Sequence, residues 1–462
     1  MFKNIFTNSA GILVSRILGF IRDLLTASIL GANIYSDIFF VAFKLPNLFR
    51  RIFAEGAFTQ SFIPSYANAK KKVTFSSVIF LQFIAFITIL SIVITFFASF
   101  ITSIIAIGFD KSTIDLASPL LAICFYYLPL IFVVTFLAAL LQYKNHFATT
   151  AFSTALLNLA LIGSLLLSIG KQSETIVYYM SWGVIVGGVL QVIVHLIAIK
   201  KLHIKFFSTY ALKKKDSFKQ TKFYKQFYPA VFGSSSAHIA AFLDTWLASF
   251  LVSGSISYLY YANRVFQLPL ALFAIATSIA LFPKIARHLK HNDEEKAMQT
   301  LSKAFMFLSI TLLVSVVIGA ILSKEIVWLL FERGVFSASD TQNTTLILQM
   351  YLIGLLPFGL SKLFSLWLYA NEQQRDAAKI ATISLGSNII LSLALIIPLE
   401  AAGLALASSL SGFISFFYTL KVFSYKRFLA IISKKLLLIL SLGLIFSTLL
   451  SFIIKELFNV YI

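Results

Sequence analysis

Residues 23–46 read DLLTASILGANIYSDIFFVAFKLP, and residues 244–269 read DTWLASFLVSGSISYLYYANRVFQLP. Each copy opens on an aspartate, places Ala-Ser four residues on, crosses a short loop and enters an aromatic-rich apolar run that reaches Leu-Pro. A second matched pair of prolines, Pro64 and Pro283, leads each copy into a basic stretch, and Asn158 and Asn388 fall in the fifth apolar run of the two halves. Six apolar runs separate the copies, so both begin on the same side of a membrane. That is the pattern of parallel repeats related by an axis along the membrane normal.

Composition supports a membrane chain. Hydrophobic residues make up 59% of the 462, charged residues only 12%, and the mean hydropathy is +0.90, too little polar surface to coat a soluble globule. Apolar runs of roughly 20 residues are expected to give thirteen or fourteen spans. The thirteen visible ones lie near 5–30, 37–53, 75–107, 115–141, 147–169, 176–199, 227–252, 256–283, 302–322, 343–370, 377–398, 401–423 and 429–454. The expected fold is all-α and polytopic, with two six-helix lobes around a central cavity. Residues 1–200 form the first lobe, 201–225 a basic linker, 226–425 the second lobe, and 426–462 an additional C-terminal transmembrane helix.

The net charge of +20 does not point to nucleic acid, because the lysines sit in short breaks between apolar runs rather than interleaved with aromatics on one wet face. They read instead as topology signals and contacts with anionic headgroups. Nine lysines between Lys200 and Lys225 place that loop in the cytoplasm, and the N-terminus with it. The first apolar run is interrupted by Arg16, Arg22 and Asp23 and lacks a small-x-small cleavage site, so it is expected to stay as the first helix. Cys124, the single cysteine, excludes an intramolecular disulfide and a cysteine metal cluster.

Charges inside the spans are costly, about 2.5 to 3.5 kcal/mol each on insertion scales, and therefore mark function. They cluster in the first, second, seventh and eighth runs: Arg16, Arg22 and Asp23; Asp37, Lys44 and Arg50; Asp244; Arg264. Arg16 and Asp23, like Asp37 and Lys44, are seven apart and share a helix face, expected to point inward. Lys44 is as well explained by neutralising Asp37, Arg50 beside Arg51 by anchoring at the interface, and Asp244 by an ion or an arginine. Guanidinium groups stay protonated and pair with phosphate oxygens, which suits the cluster to an anion such as a diphosphate.

Enzyme chemistry finds no support in the motifs. The six histidines form no HExxH spacing, no GxSxG or P-loop is present, and Glu332 and Glu400 have no partner carboxylate close in sequence. The 48 phenylalanines read as lipid-facing packing rather than as a cofactor box.

The stretches SRILGFIRDLLTASILGA from Ser15 and SDIFFVAFKLPNLFRRIFAEGAFTQSFIPSY from Ser36 closely resemble the signature of the MurJ (MviN) family of lipid II flippases. YANRVFQLP from Tyr261, FERGVFSASDT from Phe331 and GLALASSLSG from Gly403 are similar to the same family. It belongs to the multidrug/oligosaccharidyl-lipid/polysaccharide (MOP) exporter superfamily, whose two six-helix lobes agree with the repeat. The resemblance implies that Arg22, Arg50 and Arg264 hold the diphosphate of lipid II, with Arg16, Asp37 and Glu55 as further charged cavity residues. It also implies a cation site, for sodium or a proton, at Asp244, Asn388 and Ser408, although Ser392 stands where some members carry a second aspartate. The family usually ends in two helices after the core, and this chain has room for about one.

The resulting expectation is a transporter in the bacterial cytoplasmic membrane, without enzymatic activity or cofactor. It would move undecaprenyl-diphosphate-linked peptidoglycan precursor from the inner to the outer leaflet by alternating access. Its partners would be lipid II, membrane lipids and cell-wall synthesis proteins. The alternatives are export of another polyprenyl-linked glycan or of drugs.

Overall fold

The computed structural model describes residues 2–50, 57–208 and 217–461, and among these every regular element is a helix. By internal contacts the chain divides into two compact units, Met1–Gly254 and Ser255–Ile462.

The first unit contains α1 (Phe2–Leu30), α2 (Ile34–Phe49), α3 (Thr59–Ala67), α4 (Lys72–Phe96), α5 (Ala98–Ile105), α6 (Lys111–Phe125), α7 (Tyr127–Tyr143), α8 (Ala148–Leu167), α9 (Ser173–Lys201) and α10 (Ser217–Ala248). Gly31, at φ 77, ends α1, and Asn33 starts α2 with a reciprocal cap: its side chain accepts from the amides of Tyr35 and Ser36, while Ser36 Oγ accepts from the Asn33 amide. This fixes the sharp reversal between the two most charged spans. α6 and α7 together make one stretch, broken at Tyr126 because Pro129 has no N–H to offer the carbonyl of Phe125.

α1, α8 and α9 pack side by side through small residues. A Cβ on Gly11 would lie 2.7 Å from Ala151 Cβ, and one on Gly187 would lie 2.9 Å from Leu157 Cα, so only glycine allows these approaches. Elsewhere in the unit, aromatic rings fill the core. Phe58 stacks on Phe62 at 5.2 Å and meets Phe83 at 5.4 Å, and Phe83 meets Phe132 at 5.5 Å and Phe227 at 5.2 Å, joining the α3 region to α4, α7 and α10. The expectation of lipid-facing phenylalanines is thus corrected in part. Phe96 and Phe100 are exposed, but Phe58, Phe62, Phe136 and Phe223 are fully buried. α10, expected to open the second lobe, packs on α2, α3 and α4 of the first unit.

The second unit contains α11 (Ser255–Pro269), a π-helical turn (Leu270–Ile275), α12 (Ala276–Lys290), α13 (Glu294–Ile321), α14 (Ser323–Phe331), α15 (Ala338–Ile353), α16 (Leu355–Ala370), α17 (Gln374–Phe423), α18 (Tyr425–Ile431) and α19 (Lys434–Tyr461). The π-helical turn directly follows Pro269, whose missing N–H loosens the ladder there. α17 is one helix in name only: Glu400 sits at φ 48, ψ −130 and reverses the chain. Across this break Asn388 Nδ2 donates to Ser408 Oγ at 3.2 Å and Ser384 Oγ to the carbonyl of Ser411 at 3.3 Å. A Cβ on Gly403 would lie 2.1 Å from the Leu395 carbonyl oxygen, so glycine is required where the halves meet. The expected spans 377–398 and 401–423 fall on either side of the break.

Nine described helical stretches are long and apolar enough to cross a membrane. They cover ten of the thirteen expected spans, two of which share α17. The first, second and seventh expected spans fall outside this set. α1 carries Arg16, Arg22 and Asp23, α2 has only 16 residues, and α10 carries three lysines in its first half and Asp244 near its end. α19, the expected additional C-terminal helix, packs on α13.

Candidate functional site

In the first unit, the centre of charge is Arg22 on α1. Asp23, 1% exposed, accepts on one oxygen from Arg22 Nη2 at 2.6 Å and Nε at 3.1 Å. From α8, Asn158 accepts from Arg22 Nη1 at 3.1 Å and donates Nδ2 to the Ser15 carbonyl at 3.0 Å. Gly19 makes room for this: a Cβ there would stand 3.4 Å from Asn158 Nδ2. The guanidinium is therefore oriented from two helices, and its side chain is 12% exposed. Held this way, it presents a permanently positive, planar donor group at membrane depth, and the adjacent carboxylate offsets the cost of keeping it there.

Arg16 is exposed and Asp23 buried, although the two stand seven residues apart along the continuous helix α1. Asp37 is 2% exposed, and its Oδ2 accepts the Gly254 amide at 2.7 Å. It thereby ties α2 to the end of the segment that follows α10. Arg50, half-buried, donates Nε to Asn47 Oδ1 at 2.9 Å. Asp244 is half-buried near the end of α10. Glu55 lies outside the described residues.

In the second unit, Arg264 Nη2 donates to the hydroxyl of Tyr260 at 2.9 Å, one turn earlier on α11, and its guanidinium lies 5.1 Å from the centre of that ring. Asn388 and Ser408 are brought together, as the resemblance implied. Ser392, one turn along from Asn388, is fully buried with an unpartnered hydroxyl. The oxygens this unit contributes are thus neutral, and among the described residues no group of three or more His, Cys, Asp or Glu could hold a metal ion. A hard cation favours carboxylates. The donor set of this unit does not fit one on its own.

Sequence reasoning noted Asn158 only as a repeat match and missed its role in orienting Arg22. The signal was present: an amide in the interior of an apolar span is itself a functional marker. Tyr260 was also missed, though an aromatic four residues before an arginine on a helix is a recognisable pair.

The helical architecture is one shared with solved membrane transporters. A solved inward-facing multidrug resistance MATE family transporter of the MOP superfamily superposes with a TM-score of 0.70 over 93% of this chain and 98% of that one, at 11% identity, a likeness of fold alone. The lipid II flippase MurJ family matches residues 26–461, and the chain belongs to that family. It is 51% identical over 422 residues to the probable lipid II flippase MurJ of Helicobacter pylori strain ATCC 700392, covering 88% of this chain and 92% of that one. To its counterpart from Buchnera aphidicola subsp. Acyrthosiphon pisum it is 32% identical, covering 92% and 86%. The solved inward-closed conformation of a lipid II flippase MurJ matches with a TM-score of 0.81 at 28% identity over 98% of both chains.

Proposed function

We propose that this chain moves lipid II from the inner to the outer leaflet of the bacterial cytoplasmic membrane by alternating access, without covalent chemistry. Family membership along residues 26–461 supports the substrate, and the oriented guanidinium of Arg22 carries the site. In this reading Arg22, Arg50 and Arg264 receive the diphosphate, and Arg16, Asp37 and Glu55 are further charged residues of the transport path. The lipid tail stays in the bilayer while the headgroup crosses. The N-terminus lies in the cytoplasm, as the basic breaks suggest.

Directed export needs an energy source, and the membrane potential supplies about 2.3 kcal/mol per charge per 100 mV. Asp37 and Asp244 motivate coupling to a cation. No step is assigned to a sodium ion at Asp244, Asn388 and Ser408, because the oxygens of the second unit are neutral. Transport in sealed vesicles that ignored both potential and cation gradients would remove the coupling idea.

The deciding experiment measures lipid II exposed on the outer leaflet of cells depleted of their own flippase and supplied with this protein or its Arg22→Ala form. Restoration by the unaltered protein alone supports the assignment. If neither form restores exposure while the protein is present in the membrane, the cargo is another polyprenyl-linked glycan.

A further inference from the structure

α12 and α13 form an antiparallel pair joined by a three-residue turn in which Asn292 takes φ 55. Between them opens a cavity of about 530 Å³. Its polar wall presents Lys284 and His288, one turn apart on α12, opposite Lys296 and Lys303, two turns apart on α13, with Gln299 and Thr300 beside them. Its apolar wall is formed by Leu281, Ala280 and Phe307.

The three lysines are not equivalent. Lys296 donates to Asp293 at 2.7 Å and is committed to the turn. Lys284 and Lys303 have no carboxylate partner among the described residues, although Asp293, Glu294 and Glu295 lie in the same turn region. Glu294 is taken by Arg427 at 2.8 Å, and Glu295 accepts from Gln299 at 3.3 Å. Two exposed ammonium groups thus converge on one cavity with no internal counter-ion.

The depth of the cavity identifies its occupant. Lys284 follows Pro283 at the end of one apolar run and Lys303 opens the next, so both stand where the spans meet the headgroup region. Below them the wall continues into an exposed apolar surface at Ile279, Phe282, Met306 and Phe307. We infer that this cavity is a binding site for the phosphate diester of an anionic phospholipid, separate from the arginine site. The phosphate sits on Lys284 and Lys303, and the first methylenes of the acyl chains lie on Leu281 and Phe307. A soluble phosphate ester shares the headgroup chemistry but has no use for the apolar wall.

The test uses the full-length protein in a neutral detergent, titrated with phosphatidylglycerol, phosphatidylcholine or soluble glycerol-1-phosphate, with bound molecules counted by native mass spectrometry. Phosphatidylglycerol should bind the K284Q/K303Q variant about thirtyfold more weakly than wild type, from ~1 kcal/mol per lysine near an anionic surface and ~1.4 kcal/mol per decade of affinity. Phosphatidylcholine binding should not change. The charge-preserving K284R/K303R variant should bind phosphatidylglycerol like wild type, which guards against loss through misfolding, and K379Q, outside the cavity, should behave the same way. Equal phosphatidylglycerol binding by wild type and K284Q/K303Q would overturn the site. Glycerol-1-phosphate binding as tightly as the lipid would overturn the lipid as its occupant.

Discussion

Asn158 and Asn388 occupy matching places in the two copies of the repeat, and both are buried, yet they do different work. Asn158 reaches from α8 to α1, where it holds the Arg22 guanidinium and the Ser15 carbonyl. Asn388 binds Ser408, across the break in its own helical stretch. The difference follows from one position. Arg22 precedes Asp23 in the first copy, whereas Leu243 precedes Asp244 in the second. Without an arginine in register, the second asparagine has become a fastener of α17. The two matching frames thus differ by one basic residue, and of the two asparagines it is Asn158 that orients a guanidinium.

The largest test of this contrast removes the arginine. Arg22→Ala strands Asp23 in a buried position, and breaking such a pair costs about 3–5 kcal/mol. Lipid II exposure should be abolished and the thermal transition of the purified protein should fall. Arg22→Lys separates the two effects: it keeps the charge, so it should regain much of the stability but little transport, because an ammonium cannot reproduce the planar fork. Full transport by Arg22→Lys would show that charge alone suffices.

Next in size is Asn158→Ala, which removes an acceptor from a charged donor and should destabilise by roughly 1.5–3 kcal/mol, with lipid II exposure reduced as well. Asn388→Ala should cost only about 0.5–1.5 kcal/mol and leave exposure largely intact. Denaturation of the two variants in the same detergent, alongside the cellular assay, compares them directly, and equal transport defects would erase the proposed asymmetry. The smallest effect is expected at Gly19→Ala. Its Cβ would meet the Asn158 amide at 3.4 Å, close to ordinary contact distance, so a loss under about 1 kcal/mol is expected.

Much of the fold is legible in the sequence because the bilayer imposes a length and a polarity on every span. The turn at Glu400 was placed to within a few residues from the break between two apolar runs, and α19 was anticipated as a further helix. The division between units was less legible. The basic linker marks a loop, but the side chains of Phe223 and Phe227 decide which aromatic core α10 joins, and aromatic packing leaves no period in the sequence. For the site, Arg22 and Asp23 announced themselves by their cost in an apolar run. The bond from Gly254 to Asp37 was invisible, since any residue can supply a backbone amide and only the path of the chain brings this one close.

The adjacency of Arg22 and Asp23 also bears on how the chain is made. The two charges are bonded within a single helix, so α1 carries its own neutralising partner as soon as it is synthesised. Asn158 lies 136 residues further on. At roughly 5–20 residues per second of translation, the first helix must wait on the order of ten seconds for it. A lone arginine would spend that interval pulling α1 back towards water, whereas the paired one lets the helix remain in the lipid until α8 emerges to complete its surroundings.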